Sequence, residues 1–148
     1  MFRNCGLGVL LVTAVLAVAA SASASWPIRA DPTGRHLVDK DGEPFFWLGD
    51  TGWMLFQEPN REDAELYLST RARQGFTVIQ AAAVMGEERV AGTKRANGYG
   101  DTAFLDDDPA KPRLTPGNNP ANPDEYDYWD HVDYVVDRAQ AHGLVVGL

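Results

Sequence analysis

The chain has 148 residues, of which 21 are acidic and 13 are basic, and its formal net charge is −8. An acidic surface repels phosphate backbones and the basic residues are dispersed along the sequence, so we expect no nucleic acid as a partner. A neutral ligand such as a sugar is compatible with this charge balance, although composition does not select one.

Residues 1–24 have the pattern of a secretory signal peptide. Arg3 supplies a positive charge, an uncharged apolar run follows over residues 6–20, and small residues end the segment. We predict cleavage after Ala24, with cleavage after Ala22 as an alternative, and therefore a secreted or periplasmic protein without a membrane partner after cleavage. A membrane anchor is the rival interpretation, but the apolar run is shorter than the roughly 20 residues that a membrane span needs.

The only cysteine of the sequence is Cys5, which would leave with the signal peptide. The mature chain would then hold neither disulfides nor thiolate metal sites, and its stability would come from packing.

The mature chain is predicted to open with a lead-in and β-hairpin over residues 25–43. Residues 35–38 and 44–48 flank a turn with the sequence Asp-Lys-Asp-Gly. The second arm continues into the first main strand, predicted over residues 45–49. This run is apolar on both faces, which is typical of a parallel-sheet strand that is covered on both sides.

A helix and a second apolar strand follow. Asn60 is predicted to cap the helix at its start and Gly75 to end it in a left-handed conformation. One apolar stripe follows helical spacing: Ala64, Tyr67, Leu68 and Ala72. The second strand is predicted from residue 76 to about residue 84.

A long irregular segment over residues 85–120 precedes the second helix. Asn122 is predicted to cap this helix, with Glu125 completing a capping box, and Gly143 to end it. Its predicted inward stripe is Trp129, Val132, Val135, Val136 and Ala139, and its predicted solvated side is Asp127, Asp130, Asp137 and Arg138. Residues 144–148 begin a third apolar strand.

Strand, helix, strand, helix, strand is a βαβαβ series, whose crossovers build a parallel sheet. A closed (β/α)8 TIM barrel needs eight βα units and about 250 residues. We therefore expect an α/β fold in which residues 44–148 form the first three strands and two helices of a truncated barrel. The isolated chain is expected not to fold stably, because its last strand would leave a hydrogen-bonding edge exposed.

Polar residues near the carboxyl ends of the predicted strands are candidates for a site, because loops converge there in parallel α/β folds. We expect the first strand to deliver Asp50 to a solvated rim, with a turn-capping carboxylate as the alternative. Trp53 is predicted to be a core residue, with a ligand platform as the alternative. Gln80 stands alone among apolar residues and is either a site residue or a hydrogen-bonded core amide.

The long segment over residues 85–120 contributes further candidates, because loops of more than about 12–15 residues in compact folds are often functional. Asn97, Tyr99 and Asp101 are the most interesting of them. The adjacent Glu87 and Glu88 are expected to be exposed, with working carboxylates as the alternative.

Other chemistry finds little support in the sequence. The acidic run at residues 106–108 lacks the pattern of a calcium loop and is expected to be solvated, with a weak ion site as the alternative. His36, His131 and His142 stand alone, and the sequence contains no H-E-x-x-H, G-x-S-x-G or P-loop motif. We expect no metal site and no cofactor.

Four segments together resemble the N-terminal part of the apiosidase-like catalytic domain of secreted bacterial glycoside hydrolases. They are PFFWLGDTGWMLF, QGFTVIQAAAV, ANGYGD and DYWDHVDYVVDRAQAHGLVVGL. The resemblance implies a (β/α)8 barrel that cleaves glycosides, with apiose-containing side chains of plant pectin as the substrate class of characterised members. Gly52 stands where the family usually has alanine after Asp-Thr.

The resemblance also implies where the chemistry lies. Glycosidases use a pair of carboxylates, and in barrels of this family the pair is expected beyond Leu148, so this chain alone is expected to be inactive. The residues implied to line the substrate pocket are Asp50, Trp53, Gln80, Asn97 and Tyr99. The alternative function is a non-catalytic carbohydrate-binding or surface-interaction protein on the same scaffold.

Overall fold

The fold is described by a computed structural model that covers residues 27–85 and 96–148. It contains two small sheets, two α-helices and a short 3-10 turn at Leu105–Asp107. The predicted signal peptide and the predicted exposed Glu87 and Glu88 lie outside the described residues.

The predicted hairpin is confirmed, and a short strand adds to it. Strands β1 (Arg29–Ala30), β2 (Leu37–Val38) and β3 (Pro44–Phe45) form an antiparallel sheet in the order β1-β2-β3. The turn between β2 and β3 contains Gly42 with φ +86°, a conformation that glycine adopts without steric cost.

The first main strand, β4, spans Gly49–Thr51, so its predicted position at residues 45–49 is wrong. The chain instead makes a tight turn in which the Leu48 amide donates to the Phe46 carbonyl over 3.1 Å. The Thr77 hydroxyl accepts from the Leu48 amide at 2.9 Å and donates to the Phe46 carbonyl at 2.6 Å. Because these groups bond to Thr77 rather than to a neighbouring strand, the ladder begins only at Gly49.

The predicted covering of this run on both faces is also wrong for the described residues. Phe46 is 75% exposed and Trp47 is 46% exposed. Both belong to the connection between the two sheets and not to a buried strand.

The predicted parallel sheet is confirmed. Strand β5 (Val78–Gln80) lies between β4 and β6 (Val145–Gly147), and both pairs are parallel. Thr51 is opposite Gln80, and Gln80 is opposite Gly147. All three strands therefore end in register at one edge of the sheet.

Helix α1 (Arg61–Arg73) follows its local signals. The Asn60 side chain caps it by accepting from the Asp63 amide at 2.8 Å, and Gly75 follows its last turn with φ +86°. Ala64 and Leu68 of the predicted stripe are fully buried.

Helix α2 spans Tyr128–Ala141, so the prediction of Asn122 as its cap is wrong. Asp127 is the cap, and Asp130 completes the capping box. Asn122 instead belongs to a separate turn, in which its side-chain nitrogen donates to the Glu125 carboxylate at 2.8 Å. Asp127 is also only 4% exposed, which corrects its predicted place on the solvated side.

Both helices pack on the face of the parallel sheet that carries Ile79. The core cluster joins residues of the sheet, of both helices and of their connections: Leu55, Phe56, Ala64, Leu68, Ile79, Ala81, Ala103, Tyr128, Val132, Val135, Ala139 and Leu144. Neither described helix combines the length and apolarity needed to cross a bilayer.

Candidate functional site

The carboxyl edge of the parallel sheet brings the first two loops together. The Gly52 amide donates to the Gln80 carbonyl at 2.8 Å, and the Ala82 amide donates to the Trp53 carbonyl at 3.3 Å. These hydrogen bonds continue the pairing of β4 and β5 beyond the strands. The segments that leave the two strands therefore form one continuous surface, on which several sequence-predicted site residues lie.

Asp50 lies in the middle of β4 and not at a solvated rim, which corrects the prediction for its surroundings. Its carboxylate accepts hydrogen bonds from the Tyr67 hydroxyl, at 2.8 Å, and from the Arg71 guanidinium. Both partners belong to α1, and the Asp50 side chain is 25% exposed. Asp50 thus ties the edge strand to the helix that covers it.

Hydrogen bonds set the ionisation of this carboxyl group against the effect of burial. Burial raises the pKa of Asp50, but the hydrogen bonds from Tyr67 and Arg71, with smaller contributions from the Thr51 backbone and the Arg71 charge, together outweigh burial and bring the pKa below the ordinary value. Asp50 is therefore an anion at neutral pH, bound to a cation. This contact accounts for a carboxylate inside an apolar sequence.

Gln80 is exposed at the end of β5, so it is not a core amide. Side chains alternate along a strand, and Gln80 therefore lies on the face of the sheet opposite to Asp50. No side chain rises from this face at Gly49 or Gly147. A Cβ on Gly49 would lie 3.4 Å from the Trp47 indole nitrogen and 4.0 Å from the Gln80 amide oxygen. The Gln80 amide and the Trp47 indole therefore lie together over the two glycines.

Trp53 is 57% exposed, so its predicted core position is wrong. It lines a cleft of about 380 Å³ at the carboxyl edge of the sheet. The other lining residues are Thr51, Gly52, Met54, Leu55, Glu58, Pro59 and Tyr67. An exposed indole at the wall of a mainly apolar cleft is a suitable contact for a flat, partly apolar ligand surface.

Steric crowding explains why residue 52, which lines this cleft, is a glycine. A Cβ at this position would lie only 3.0 Å from the Tyr67 hydroxyl oxygen. Glycine therefore leaves room for the hydroxyl that donates to Asp50, and an alanine here would require Tyr67 to shift.

Asn97 is buried, at 3% exposure, and organises the loop at residues 96–102. Its side-chain oxygen accepts from the amides of Tyr99 and Asp101, both at 3.0 Å. The main chain closes the same loop through a bridge between Ala96 and Thr102. Asn97 therefore holds the loop in shape from inside.

Tyr99 fastens this loop to the start of α1. Its hydroxyl accepts from the Arg61 amide at 2.9 Å, which satisfies one of the free N–H groups of the first helical turn. Tyr99 and Asn97 line a second cleft of about 540 Å³. This cleft shares Met54 and Glu58 with the Trp53 cleft, so the two clefts adjoin.

Sequence reasoning missed Gln57, which is only 4% exposed. Its side-chain oxygen accepts from the Met85 amide at 2.7 Å and its side-chain nitrogen donates to the Met85 carbonyl at 3.3 Å. Gln57 thereby holds the segment after β5 against the segment after β4. The available signal was a lone amide after an apolar run, as for Gln80.

The structure brings Trp53, Asn97 and Tyr99 to the two adjoining clefts. Gln80 lies at the end of β5 but lines neither cleft, and Asp50 is bound to Tyr67 and Arg71 of α1. Asp106 and Asp107 of the acidic run are exposed, as expected. Among the described residues, His, Cys, Asp and Glu side chains form no group of three or more that could hold a metal ion.

Comparisons with known proteins agree with this fold. A solved structure described as a glycoside hydrolase aligns with 81% of this chain at 35% identity and a TM-score of 0.59. A second, described as a glycoside hydrolase family 5 structure from Bacteroides vulgatus ATCC 8482, aligns with 81% of the chain at 31% identity and a TM-score of 0.62. The chain spans 24% and 23% of the lengths of those two proteins.

A search of curated proteins finds no match. The family described as "Apiosidase-like, catalytic domain" matches residues 31–148, which include the parallel sheet, strands β2 and β3, both helices and the two clefts. The chain therefore belongs to the apiosidase-like catalytic domain family.

Proposed function

We propose that this chain is the N-terminal portion of a secreted glycoside hydrolase that acts on pectic glycosides of the plant cell wall. The observation that carries the proposal is the parallel sheet, whose strands end in register below two adjoining clefts, in a chain of a glycoside hydrolase family. Secretion is supported by the signal-peptide pattern in residues 1–24.

The full-length protein is proposed to be a (β/α)8 barrel. Three parallel strands with both helices on one face correspond to the first βα units of such a barrel. Glycosidases act through a general acid and a second carboxylate that serves as base or nucleophile. We place that pair beyond Leu148, and this chain alone is then inactive.

The five pocket residues are proposed to act in two ways. Trp53 and Gln80 are exposed and are placed in contact with sugar, the indole against C–H groups and the amide against hydroxyls. Tyr99 lines the adjoining cleft. Asp50 and Asn97 hold the walls of the pocket, because their polar atoms already bind α1 and the 96–102 loop.

The experiment uses the full-length protein and pectin fractions that carry apiose-containing side chains. Release of reducing sugar is measured for the wild type, for Trp53→Ala and for Phe46→Ala. Phe46 is the matched control, because it is an exposed aromatic residue that precedes the amino end of β4, whereas Trp53 follows its carboxyl end. We expect Trp53→Ala to raise KM about tenfold, equivalent to ~1.4 kcal/mol, and Phe46→Ala to leave KM unchanged.

Two outcomes contradict the proposal. Sugar binding without hydrolysis in the full-length protein identifies a carbohydrate-binding protein on the same scaffold. Hydrolysis of other glycosides but not of pectic ones retains the enzyme class and removes the proposed substrate.

A further inference from the structure

His131 of α2 is fully buried, and neither of its ring nitrogens has a hydrogen-bond partner among the described residues. Buried polar side chains are normally hydrogen-bonded. The ring lies inside a cluster of aromatic side chains at the start of both helices. It lines neither the Trp53 cleft nor the adjoining cleft.

The groups that face His131 come from three elements. Tyr99 of the 96–102 loop meets its ring edge-on with 5.4 Å between ring centres, and Tyr134 of α2 stacks on it at 6.4 Å. Arg61 of α1 is the cation that acts on it, and the Arg61 guanidinium lies 4.2 Å from the Tyr134 ring centre. The Pro59 backbone also lies close, without the geometry of a hydrogen bond.

No carboxylate of the described residues forms an ion pair with His131 to balance a positive charge. The nearby Asp130 carboxylate instead accepts from the Asp127 amide, at 3.0 Å, and lies within the field of Arg61. Arg61 is itself held by the Tyr126 ring, 4.6 Å from its centre, and its Nε donates to the Tyr126 hydroxyl at 3.0 Å. A proton added to His131 would therefore place a second cation beside Arg61 in an aromatic environment.

The ionisation of His131 follows from these surroundings. Burial, followed by the charge of Arg61, lowers its pKa from 6.5 to about 4, and the Pro59 backbone opposes the shift only in part. The folded state thus binds this proton less readily than the unfolded state does. The stabilisation due to neutral His131 is complete above pH 6.5 and is lost progressively as the pH falls towards 4.

The loop at residues 96–102 is the element that can respond. Tyr99 joins it both to the His131 ring and to the first amide of α1. Asn97 holds Tyr99 and Asp101 in place, so the loop moves as a unit when Tyr99 leaves. Tyr99 is 48% exposed, and its departure would open a path for water to the imidazole.

We propose that His131 is an acid-sensitive latch, which holds the 96–102 loop against α1 while it is neutral and releases the loop when it is protonated. The inference does not depend on the proposed substrate. Release would also remove Tyr99 and Asn97 from the wall of the second cleft, so acid would alter that cleft.

The test is hydrogen exchange of the peptide containing residues 96–102, measured by mass spectrometry on the full-length protein between pH 4 and 7.5 and corrected for intrinsic rates. In the wild type, the opened fraction should rise by up to about tenfold for each pH unit below 6.5, because release is linked to one proton. His131→Phe keeps a flat aromatic ring without a titrating group and should abolish this dependence. His142→Gln is the control and should retain it.

A second measurement keeps the test independent of how the variants fold. Exchange of the imidazole C2 hydrogen, followed in the wild type by mass spectrometry, reports the pKa of each histidine separately. A His131 pKa of 6.5 or above would overturn the latch. So would loop exchange that is unchanged by pH in the wild type, or an acid response that persists in His131→Phe.

Discussion

The contact between Asp50 and α1 gives the sharpest prediction about this fold. Asp50→Ala removes a carboxylate that accepts from the Tyr67 hydroxyl and from the Arg71 guanidinium. Arg71 retains a hydrogen bond to Gln74, at 2.9 Å, and remains 5.1 Å from the centre of the Tyr67 ring. The cation is therefore not left without partners, which limits the cost of the substitution.

The magnitude follows from the exposure of the pair. A hydrogen bond to a charged group contributes about 1.5–3 kcal/mol, and an exposed ion pair contributes about 0–1 kcal/mol. The side chains of Asp50 and Arg71 are 25% and 32% exposed, between these limits. We expect Asp50→Ala to lower the free energy of unfolding by about 2 kcal/mol. Asp50→Asn should cost about half as much, because it keeps an acceptor for Tyr67.

Urea denaturation of the full-length protein measures these differences, together with the double variant Asp50→Asn/Arg71→Met. A coupling of about 1 kcal/mol between the two positions is expected, since their side chains are in direct contact. Sugar hydrolysis, assayed well below the unfolding transition, should change little in Asp50→Asn. Loss of activity in Asp50→Asn with unchanged stability would refute the structural role and place Asp50 in contact with substrate.

Three further predictions concern contacts that hold the helices. Asp127→Ala should lower the free energy of unfolding by about 1–2 kcal/mol and Asn122→Ala by less than about 0.5 kcal/mol, because only Asp127 caps α2. The pKa of Glu65 is lowered to about 2, chiefly by the hydrogen bond from Arg138. Glu65 should therefore stabilise the fold above pH 4.5 and lose this effect as the pH falls towards 2. Glu65→Gln should remove this acid dependence, which is worth about 1 kcal/mol after allowance for solvent screening. Tyr128→Phe removes a buried hydrogen bond of 2.7 Å to the segment after β5 and should cost about 1–2 kcal/mol.

Urea denaturation at pH 7 and pH 3 distinguishes these contributions. Equal losses for Asp127→Ala and Asn122→Ala would contradict the observed helix start. If the acid dependence of stability is unchanged in Glu65→Gln, it arises from other carboxylates. If Tyr128→Phe leaves the free energy of unfolding unchanged, water replaces the lost hydroxyl donor.

Helix α1 shows where local sequence is sufficient. Asn60 at its start and Gly75 after its end act within a few residues of themselves, through a side-chain oxygen and a left-handed backbone conformation. Such interactions are available in the sequence without knowledge of the fold. Both ends of α1 could therefore be predicted.

Helix α2 shows the opposite case, because two good capping sequences compete within a few residues. Asp127 prevails because its second carboxylate oxygen also accepts from the Thr115 amide, at 2.7 Å, and because Tyr128 behind it is fully buried. Thr115 lies in an irregular segment whose path no local pattern specifies. The choice between the caps was therefore made by tertiary contacts.

The site residues differ in the same way. Polar residues at the ends of apolar runs pointed to one edge of the sheet, and Gln80 lies there. The face on which each side chain projects depends on strand register, and a shift of one residue reverses it. The actual position of β4 at Gly49–Thr51 turns Asp50 towards α1 and away from Gln80.

The sequence by itself determined the order of strands and helices and their parallel arrangement, because apolar runs, caps and glycines act over short distances. Tertiary structure alone decided which groups meet. It pairs the Asp50 carboxylate with Arg71 and the Gln57 side-chain amide with the Met85 backbone, and it buries the His131 imidazole among aromatic rings without a hydrogen-bond partner from the described residues. These contacts join residues that are far apart in the chain, so their free energies depend on burial and geometry that only the folded molecule creates.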